Sequence, residues 1–456
     1  MKIFNTLSGK KENFVPIEDN KIKMYVCGMT VYDDTHIGHA RTFLSFDLIV
    51  RYLRSINYEV NYIRNITDVD DKIISRAEEL RMTPKELTEK YIDSMNDDFQ
   101  SLGMIEPDSE PRATDNIDSI ISLIEILIQK GHAYEGDSDV YFSAESFNSY
   151  GKLSRRNLED MLAGARVDID TDKKNPADFV LWKKNTDGMK WDSPWGEGRP
   201  GWHIECSAMS MDALGETFDI HGGGSDLKFP HHENEIAQSE CVTGKEFAKL
   251  WMHTGSLRID QEKMSKSLKN FVTIKGALEK HSAEVLRLFL ISSHYRSPLN
   301  YSEGALEEAK NSLDRLYNSL QDLIYEPKEY IQTEYSDKFH KAMQDDFNTP
   351  SALSVLFEMA RQINTLKIEN NSEESSALAK ELVTLSGILG LLQDNPVNHF
   401  TQGIDISEEE IESYIVKRNQ ARDQKDFDLS DKIRDELLEK GIVLEDKESG
   451  TTWKKS

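Results

Sequence analysis

Thiol, imidazole and carboxylate side chains occur in this sequence in a combination that can bind zinc. Cys27 ends a short apolar segment, and Cys206 follows the run Gly-Trp-His-Ile-Glu. His231 and Glu235 are four residues apart just after Pro230, which favours the first turn of a helix, so both side chains should share one helix face. Two thiolates, one imidazole and one carboxylate form a tetrahedral ligand set of the kind that zinc accepts.

None of these residues is diagnostic by itself. A single cysteine is usually a small buried hydrophobe, and a histidine and a glutamate at this spacing usually lie on the surface. The spacing does not join the four residues into one site. On chemical grounds, three other histidines are equally plausible ligands: His203, His221 and His232.

Two short motifs contain residue types that bind phosphate. His36-Ile37-Gly38-His39 lies where a predicted strand passes into a helix. The helix N-terminus can face an anion there, the glycine permits close approach of the backbone, and the imidazoles can donate hydrogen bonds to phosphate. Far downstream, Lys263-Met264-Ser265-Lys266-Ser267 places two ammonium groups on a predicted loop, which suits the charge of a leaving pyrophosphate. Each motif is weak alone, but their order and context together are specific.

The hydrophobic pattern predicts the elements that position these motifs. Residues 22–27 are typical of a strand, apolar residues then recur at helical spacing from Phe43 to Leu53, and residues 58–66 alternate as in a second strand. This order is typical of a parallel sheet. The Ile- and Leu-rich segment 117–128 predicts a buried helix, and the polar stretch 136–200 predicts an insertion.

The C-terminal third of the sequence is predominantly helical in pattern. Residues 303–392 predict an acidic helical bundle, and residues 394–405, with a proline and a glycine, predict a linker. A helical pair is expected at 411–419 and 429–440, with a strand at 442–444.

Composition limits the class of protein. The 456 residues allow about three domains. No stretch approaches the ~18 apolar residues of a membrane span, and the first residues lack a signal peptide's apolar region, so we expect a cytoplasmic protein with no membrane contact.

The three cysteines, Cys27, Cys206 and Cys241, predict free thiols and no disulfide framework. Cys241 is expected in the core or on a helix.

The net charge of −26, from 55 basic and 81 acidic residues, argues by itself against a protein that coats nucleic-acid phosphate. Any RNA contacts must therefore be made by a minority of basic residues gathered on one face.

Longer blocks resemble the cysteine-specific members of the class I aminoacyl-tRNA synthetases, and the resemblance runs essentially from end to end. The motifs His36–His39 and Lys263–Ser267 are similar to the two class I signatures. The surrounding blocks that carry the resemblance are YVCGMTVYD at 25–33, NITDVDDK at 65–72, GWHIECSAM at 201–209 and HGGGSDLKFPHHENE at 221–235. One departure is Lys269, where a small residue, often glycine, is expected.

The resemblance implies an α/β fold: a Rossmann-type parallel-sheet catalytic domain with an insertion, followed by an α-helical bundle and a small C-terminal anticodon-binding domain. The implied boundaries are 1–135 and 201–250 for the catalytic domain, 136–200 for the connective insertion, 251–302 for a stem-contact region carrying the Lys263–Ser267 loop, 303–395 for the bundle and 405–456 for the anticodon domain.

The resemblance also implies roles for individual residues. The implied zinc ligands are Cys27, Cys206, His231 and Glu235. The residues implied to line the cysteine pocket are Gly28, Thr67 and Trp202. Those implied for ATP are His36, Gly38, His39 and Asp226, with Lys263 and Lys266 on the mobile signature loop. In the C-terminal segment the positions expected to contact anticodon bases are Arg422, Asp431 and Asp446, and Trp453 could stack on a splayed base.

The implied activity is that of a ligase with ATP, Mg²⁺, L-cysteine and tRNA(Cys) as partners and one zinc ion per chain. It would form cysteinyl-adenylate and pass cysteine to the 3′-terminal adenosine of the tRNA, and we expect a monomer. Cysteine and serine differ by one atom, so a steric pocket would separate them poorly. Zinc prefers a thiolate to a hydroxyl, and we therefore expect it to select the substrate thiol without taking part in bond making.

Two other functions compete. A paralogous ligase would pass cysteine from the adenylate to an amino sugar, but it would not need residues 411–453, which favour the tRNA enzyme. A degenerate, non-enzymatic relative would have lost signature residues, whereas both motifs and all four expected zinc ligands are present.

Overall fold

The computed structural model describes residues 1–156, 172–184, 188–260, 262–263, 271–325, 332–401, 408–447 and 450–455. These residues divide into two compact units. The first comprises Met1–Asn311, Gln332–Leu356 and Ile388–Leu391, and the second comprises Ser312–Ile331, Phe357–Gly387 and Leu392–Ser456.

The described strands are β1 (Lys2–Asn5), β2 (Lys10–Asn13), β3 (Lys21–Val26), β4 (Glu59–Arg64), β5 (Ala133–Glu135), β6 (Asp139–Phe142), β7 (Phe179–Lys184), β8 (Gly198–Pro200), β9 (Phe218–Gly224), β10 (Ala248–Thr254), β11 (Leu257–Ile259), β12 (Glu262–Lys263), β13 (Leu299–Tyr301), β14 (Ile442–Lys447) and β15 (Gly450–Lys455).

The described α-helices are α1 (Ile37–Ser55), α2 (Asp71–Leu80), α3 (Pro84–Ser101), α4 (Ile117–Gln129), α5 (Trp202–Leu214), α6 (Glu233–Thr243), α7 (Ile274–Leu278), α8 (Ala283–Ile291), α9 (Glu303–Leu320), α10 (Glu334–Met343), α11 (Thr349–Ile368), α12 (Ser372–Ile388), α13 (Pro396–Thr401), α14 (Glu408–Asp423) and α15 (Phe427–Glu439). Among them, none is both long and apolar enough to cross a membrane.

A four-stranded parallel sheet forms the core of the first unit, in the order β10-β9-β3-β4. Its two central strands are largely buried, as expected when helices cover both faces. The predicted strand, helix and second strand are confirmed as β3, α1 and β4. All strands of this sheet run in the same direction, so their carboxyl ends meet at one edge, where ligands usually bind in open α/β sheets.

Within the stretch 136–200 that was predicted as an insertion, strands β6, β7 and β8 are described, and with the preceding β5 they form an antiparallel sheet in the order β5-β6-β7-β8. The predicted buried helix at 117–128 is confirmed as α4, and its apolar side packs with the inner residues of this sheet. The fully buried residues of that cluster include Ile120, Ile124, Leu127, Val140 and Trp182.

Backbone hydrogen bonds join the start of α1 to the residues that follow the Lys263–Ser267 motif. The amide of Ile37 donates to the carbonyl of Val272, and the amide of Ile274 donates to the carbonyl of Thr35, both at 3.0 Å. The chain leading into the motif forms β12, which pairs with β11. The chain on each side of the loop is therefore held in the first unit, while Lys266 and Lys269 lie outside the described residues.

The C-terminal part of the second unit packs α14 and α15 against a β14–β15 hairpin around a small apolar core. The predicted helical pair is confirmed, and the predicted strand at 442–444 is confirmed within β14. The linker prediction for 394–405 is wrong in part, because Pro396 begins helix α13, a first-turn position that proline tolerates. Within that helix, His399 stacks on Tyr317 with 3.9 Å between ring centroids.

Candidate metal centre and its surroundings

Four predicted ligands meet in one buried cluster although they come from four different elements. Cys27 follows the carboxyl end of β3, and Cys206 lies on the second turn of α5. His231 directly precedes α6, after a kink at Phe229 where the backbone is extended, and its Nε2 lies 3.0 Å from Oε1 of Glu235 four residues later, as the predicted shared face requires. The candidate ligand atoms of the four residues all lie within 4.8 Å of one another, and each residue is buried.

The Glu235 carboxylate organises the cluster. Its Oε1 accepts from the Cys27 thiol at 3.4 Å and lies 3.0 Å from His231 Nε2, while its Oε2 lies 2.8 Å from His221 Nε2. Burial would raise the pKa of Glu235, but the two histidines hold it well below its usual range. Burial would likewise lower the pKa of His231, but Glu235 and Cys206 raise it to about 10.

The two thiols behave as a pair. A hydrogen bond from Cys27 lowers the pKa of Cys206 to about 6, while burial and the neighbouring Cys206 raise the pKa of Cys27 well above its usual value. Two sulfurs, an imidazole nitrogen and a carboxylate oxygen within a buried pocket fit a divalent metal with soft and borderline ligands. The cluster can therefore hold a metal, and its composition is consistent with zinc.

A second possible ligand set shares Cys27 and Glu235 and adds His221 and His232. Outer hydrogen-bond partners occur in both sets, since His232 Nδ1 lies 2.9 Å from His253 Nε2. The first set is favoured because it contains two sulfurs and the second contains one. Behind His231, its Nδ1 lies 2.9 Å from the Nδ1 of His203. The corresponding partner of Glu235 is His221, whose Nε2 contacts Oε2 of the carboxylate. Two of the three histidines that the sequence left as alternative ligands, His203 and His221, therefore contact ligands of the first set.

The residues predicted to line the cysteine pocket border this cluster. The Trp202 ring lies 4.5 Å from the His231 ring, and the tryptophan is 39% exposed. Gly28 directly follows Cys27, and a Cβ at this glycine would collide with the carbonyl of Asn65. Asn65 was missed as a site residue, although it begins one of the resembling blocks; its side chain accepts from Gly28 N at 2.8 Å and donates to the Thr67 hydroxyl at 3.3 Å.

The first phosphate motif forms a reciprocal cap on α1. His36 Nδ1 accepts from the amide of His39 at 3.1 Å, His39 Nδ1 accepts from the amide of His36 at 3.4 Å, and the rings stack with 3.5 Å between centroids. Because both Nδ1 atoms accept, a neutral ring carries its proton on Nε2 in each case. The cap therefore fixes the tautomer in which Nε2–H is the donor that each imidazole offers to an anion.

Other predicted nucleotide residues are placed less completely. Gly38 lies in the first turn of α1, and Asp226 lies against Gly224, where a Cβ would collide with its carboxylate. The backbone of Lys263 forms part of β12, and Lys266 falls outside the described residues.

The C-terminal candidates divide into two groups. Asp446 pairs with Arg422 at 2.9 Å and with Arg418 at 2.8 Å, whereas Asp431 pairs with Arg434 at 3.2 Å. The two arginines and a hydrogen bond from Thr451 hold the pKa of Asp446 far below its usual value. Trp453 packs on the apolar core of this region, which favours a structural role over base stacking.

The sequence reasoning missed one exposed aromatic residue in the same region. Phe427, the first residue of α15, is 62% exposed. It lines an open cavity of about 370 Å³, and the other lining residues are Asn419, Arg422 and Asp423.

Comparison with known proteins identifies the family. Residues 13–311 match the family described as "tRNA synthetases class I (C) catalytic domain", and residues 338–393 match the "DALR domain". Over the full length of both proteins, the chain is 54% identical to a "Cysteine--tRNA ligase" of Hahella chejuensis and 54% identical to one of Haemophilus influenzae (strain 86-028NP). The chain belongs to the cysteine–tRNA ligase family. The predicted family and fold class are thereby confirmed.

Solved structures share the fold of this cysteine–tRNA ligase family member at low identity. Mycobacterium tuberculosis methionyl-tRNA synthetase in complex with methionyl-adenylate superimposes with a TM-score of 0.59 at 15% identity, covering 81% of this chain and 89% of that chain. A putative arginyl-tRNA synthetase from Campylobacter jejuni gives a TM-score of 0.56 at 12% identity, covering 82% and 94%. These similarities show the class I synthetase fold.

The metal assignment predicts different behaviour of two buried cysteines. Replacing Cys206 by serine should weaken zinc binding by on the order of 100-fold or more, because a soft ligand is removed from the cluster. Replacing Cys241, which is buried on α6 outside the cluster, should leave one tightly bound zinc per chain. Zinc content after dialysis, with circular dichroism to verify folding, measures the difference. Stoichiometric zinc retained by folded Cys206→Ser would contradict the assignment.

Proposed function

We propose that this chain joins L-cysteine to tRNA(Cys) with cleavage of ATP to AMP and pyrophosphate, and that zinc held by Cys27, Cys206, His231 and Glu235 selects the substrate thiol. The observation that carries this proposal is the buried two-sulfur cluster bordered by Trp202, in a chain that shares about half of its residues with full-length cysteine–tRNA ligases.

Selection of cysteine over serine follows from the chemistry of the cluster. A zinc ion bound there would bind a thiolate far more strongly than a hydroxyl. Gly28 and Thr67 both form hydrogen bonds with Asn65, so the positions of the Gly28 amide and the Thr67 hydroxyl are fixed before the substrate arrives. A rigid pocket of this kind discriminates through one polar handle, because the two amino acids have nearly the same shape.

Activation requires positioning and charge stabilisation more than a protein nucleophile. An oxygen of the cysteine carboxylate attacks the α-phosphorus of ATP, and the bond to the bridging oxygen breaks to release pyrophosphate. His36 and His39 would donate their Nε2–H groups to the α-phosphate, a role that their fixed tautomers support. We assign Lys263 and Lys266 to the departing pyrophosphate, and Mg²⁺ bound with ATP would supply further positive charge there.

Transfer completes the reaction. A ribose hydroxyl of the 3′-terminal adenosine attacks the carbonyl carbon of the adenylate and loses its proton to water, the ester bond to cysteine forms, and AMP leaves as the bond between that carbon and the phosphate oxygen breaks. His36 and His39 can continue to stabilise the phosphate as its bond to the carboxyl carbon breaks.

The exchange of labelled pyrophosphate into ATP tests activation and metal selectivity together. With Mg²⁺ present throughout, we expect exchange with cysteine, loss of exchange after zinc is chelated, recovery when zinc is restored, and exchange with serine lower by roughly 10⁴-fold, the range that a specific polar handle provides. Exchange that survives complete removal of zinc with its selectivity intact would exclude the zinc role. No exchange with any amino acid would exclude the ligase, and cysteine transfer to an amino sugar in place of tRNA would identify the paralogous activity.

The C-terminal region supplies the proposed anticodon contacts. Arg422 and Asp446 offer a donor and an acceptor to base edges, and Asp431 lies nearby in sequence on α15. The exposed ring of Phe427 beside Arg422 offers a surface on which an unstacked base can lie.

This surface predicts a selective defect. Phe427→Ala should lower kcat/KM for tRNA charging by about tenfold, since stacking of one base contributes roughly 1–3 kcal/mol, and should leave cysteine-dependent pyrophosphate exchange unchanged. Leu438→Ala is the matched control, because Leu438 is 51% exposed on the same helix but does not line the cavity. Equal charging by the two variants would exclude a role for Phe427.

A further inference from the structure

A turn in the first unit carries two adjacent arginines, Arg155 and Arg156. The turn is fixed by the buried carboxylate of Glu233, the first residue of α6. This carboxylate accepts from the amides of Gly151 at 3.0 Å, Leu153 at 3.2 Å and Ser154 at 2.7 Å. The arginines therefore project from a turn that is anchored to the helix containing Glu235.

Lys228 completes a cluster of three cations, which we call the basic patch. Lys228 follows the carboxyl end of β9 by four residues. The guanidinium of Arg156 lies 5.0 Å from the ring centre of the adjacent Phe229, and the guanidinium of Arg155 lies against Gly9, in the turn between β1 and β2. Burial and the charges of both arginines lower the pKa of Lys228, with partial compensation by Glu233.

The positive charge of the basic patch is not neutralised by side chains of the described residues. No carboxylate among them forms an ion pair with any of the three cations, whereas neighbouring lysines are paired, Lys152 with Glu240 at 2.6 Å and Lys245 with Glu216. This is unusual in a chain with 81 acidic and 55 basic residues, where carboxylates are abundant. Three clustered cations that have no ion-pair partner in the described part of the chain favour an anionic partner.

The position of the basic patch indicates which anion. Lys228 and Phe229 directly precede Pro230 and His231, so the patch borders the candidate metal centre at the carboxyl edge of the parallel sheet. The proposed function assigns the α-phosphate of ATP to His36 and His39, at the start of α1. A single-stranded RNA backbone, which carries one phosphate per nucleotide, is the polyanion that must reach this site from outside.

We propose that Arg155, Arg156 and Lys228 bind backbone phosphates of the single-stranded 3′ end of the tRNA and position its terminal ribose at the adenylate. The inference rests on the proposed function and adds the contact through which the acceptor end is held. Phosphate contacts of this kind fix register without reading sequence, so the basic patch contributes affinity and orientation and leaves tRNA identity to other surfaces.

Removing the three positive charges of the basic patch should impair tRNA charging without impairing activation of cysteine. The variant R155Q/R156Q/K228Q, assayed with transcribed tRNA(Cys), should lose about tenfold or more in kcat/KM for charging at roughly 0.1 M salt, while cysteine-dependent pyrophosphate exchange changes less than about twofold. The slope of log kcat/KM against log salt concentration should decrease in magnitude by about 0.7 for each phosphate that the variant no longer neutralises, the value for single strands. Lys245→Gln, which removes a paired surface lysine, should change neither quantity.

A variant that preserves the charges is the control for misfolding. R155K/R156K/K228R should keep the salt dependence of the parent chain, because backbone phosphates are recognised mainly as charges. Unchanged charging by the glutamine variant would overturn the proposal. Parallel loss of exchange and charging would also overturn it, since that result assigns the residues to ATP or to the fold. The parent chain's own charging activity tests the proposed function separately.

Discussion

The buried carboxylate of Glu235, shared between a thiol and two imidazoles, is the interaction on which the site depends. Burying two thiols, an imidazole and a carboxylate without a cation is costly, because each group loses water that the protein only partly replaces. The shifted pKa values of Cys206 and His231 show how the four groups share protons and charge. A divalent metal bound by these groups would relieve the same problem and would give the pocket a chemical preference for sulfur.

The fold brings these groups together through the geometry of its parallel sheet. The carboxyl ends of β3 and β9 meet at one edge, so Cys27 and the turn containing His231 come from neighbouring strands. The same edge receives α1, whose reciprocal histidine cap is bonded to the chain beyond the second phosphate motif. The candidate metal centre and the histidine cap of α1 thus share one scaffold, so a shift of α1 relative to the sheet would change the distance between them.

Much of this arrangement could be predicted from the sequence, but the contacts across it could not. Alternation and helical spacing located β3, α1, β4 and α4, because these elements bury regular apolar faces. Residue types alone did not distinguish His231 from His203, His221 and His232, since all are imidazoles and only the folded structure groups His231 with both cysteines. Asn65 and Phe427 were missed because their roles depend on a close backbone approach and on exposure. The helix α13 was hidden by a proline that is also typical of linkers.

X-ray absorption at the zinc edge, with and without substrate, tests most directly whether the metal binds the sulfur of the substrate cysteine. We expect about two sulfur ligands near ~2.3 Å in the free protein and about three after cysteine binds, with no third sulfur when serine is added at a saturating concentration. A sulfur count that stays at two in the cysteine complex would contradict thiol selection by zinc, since the substrate would then be selected by something other than the metal.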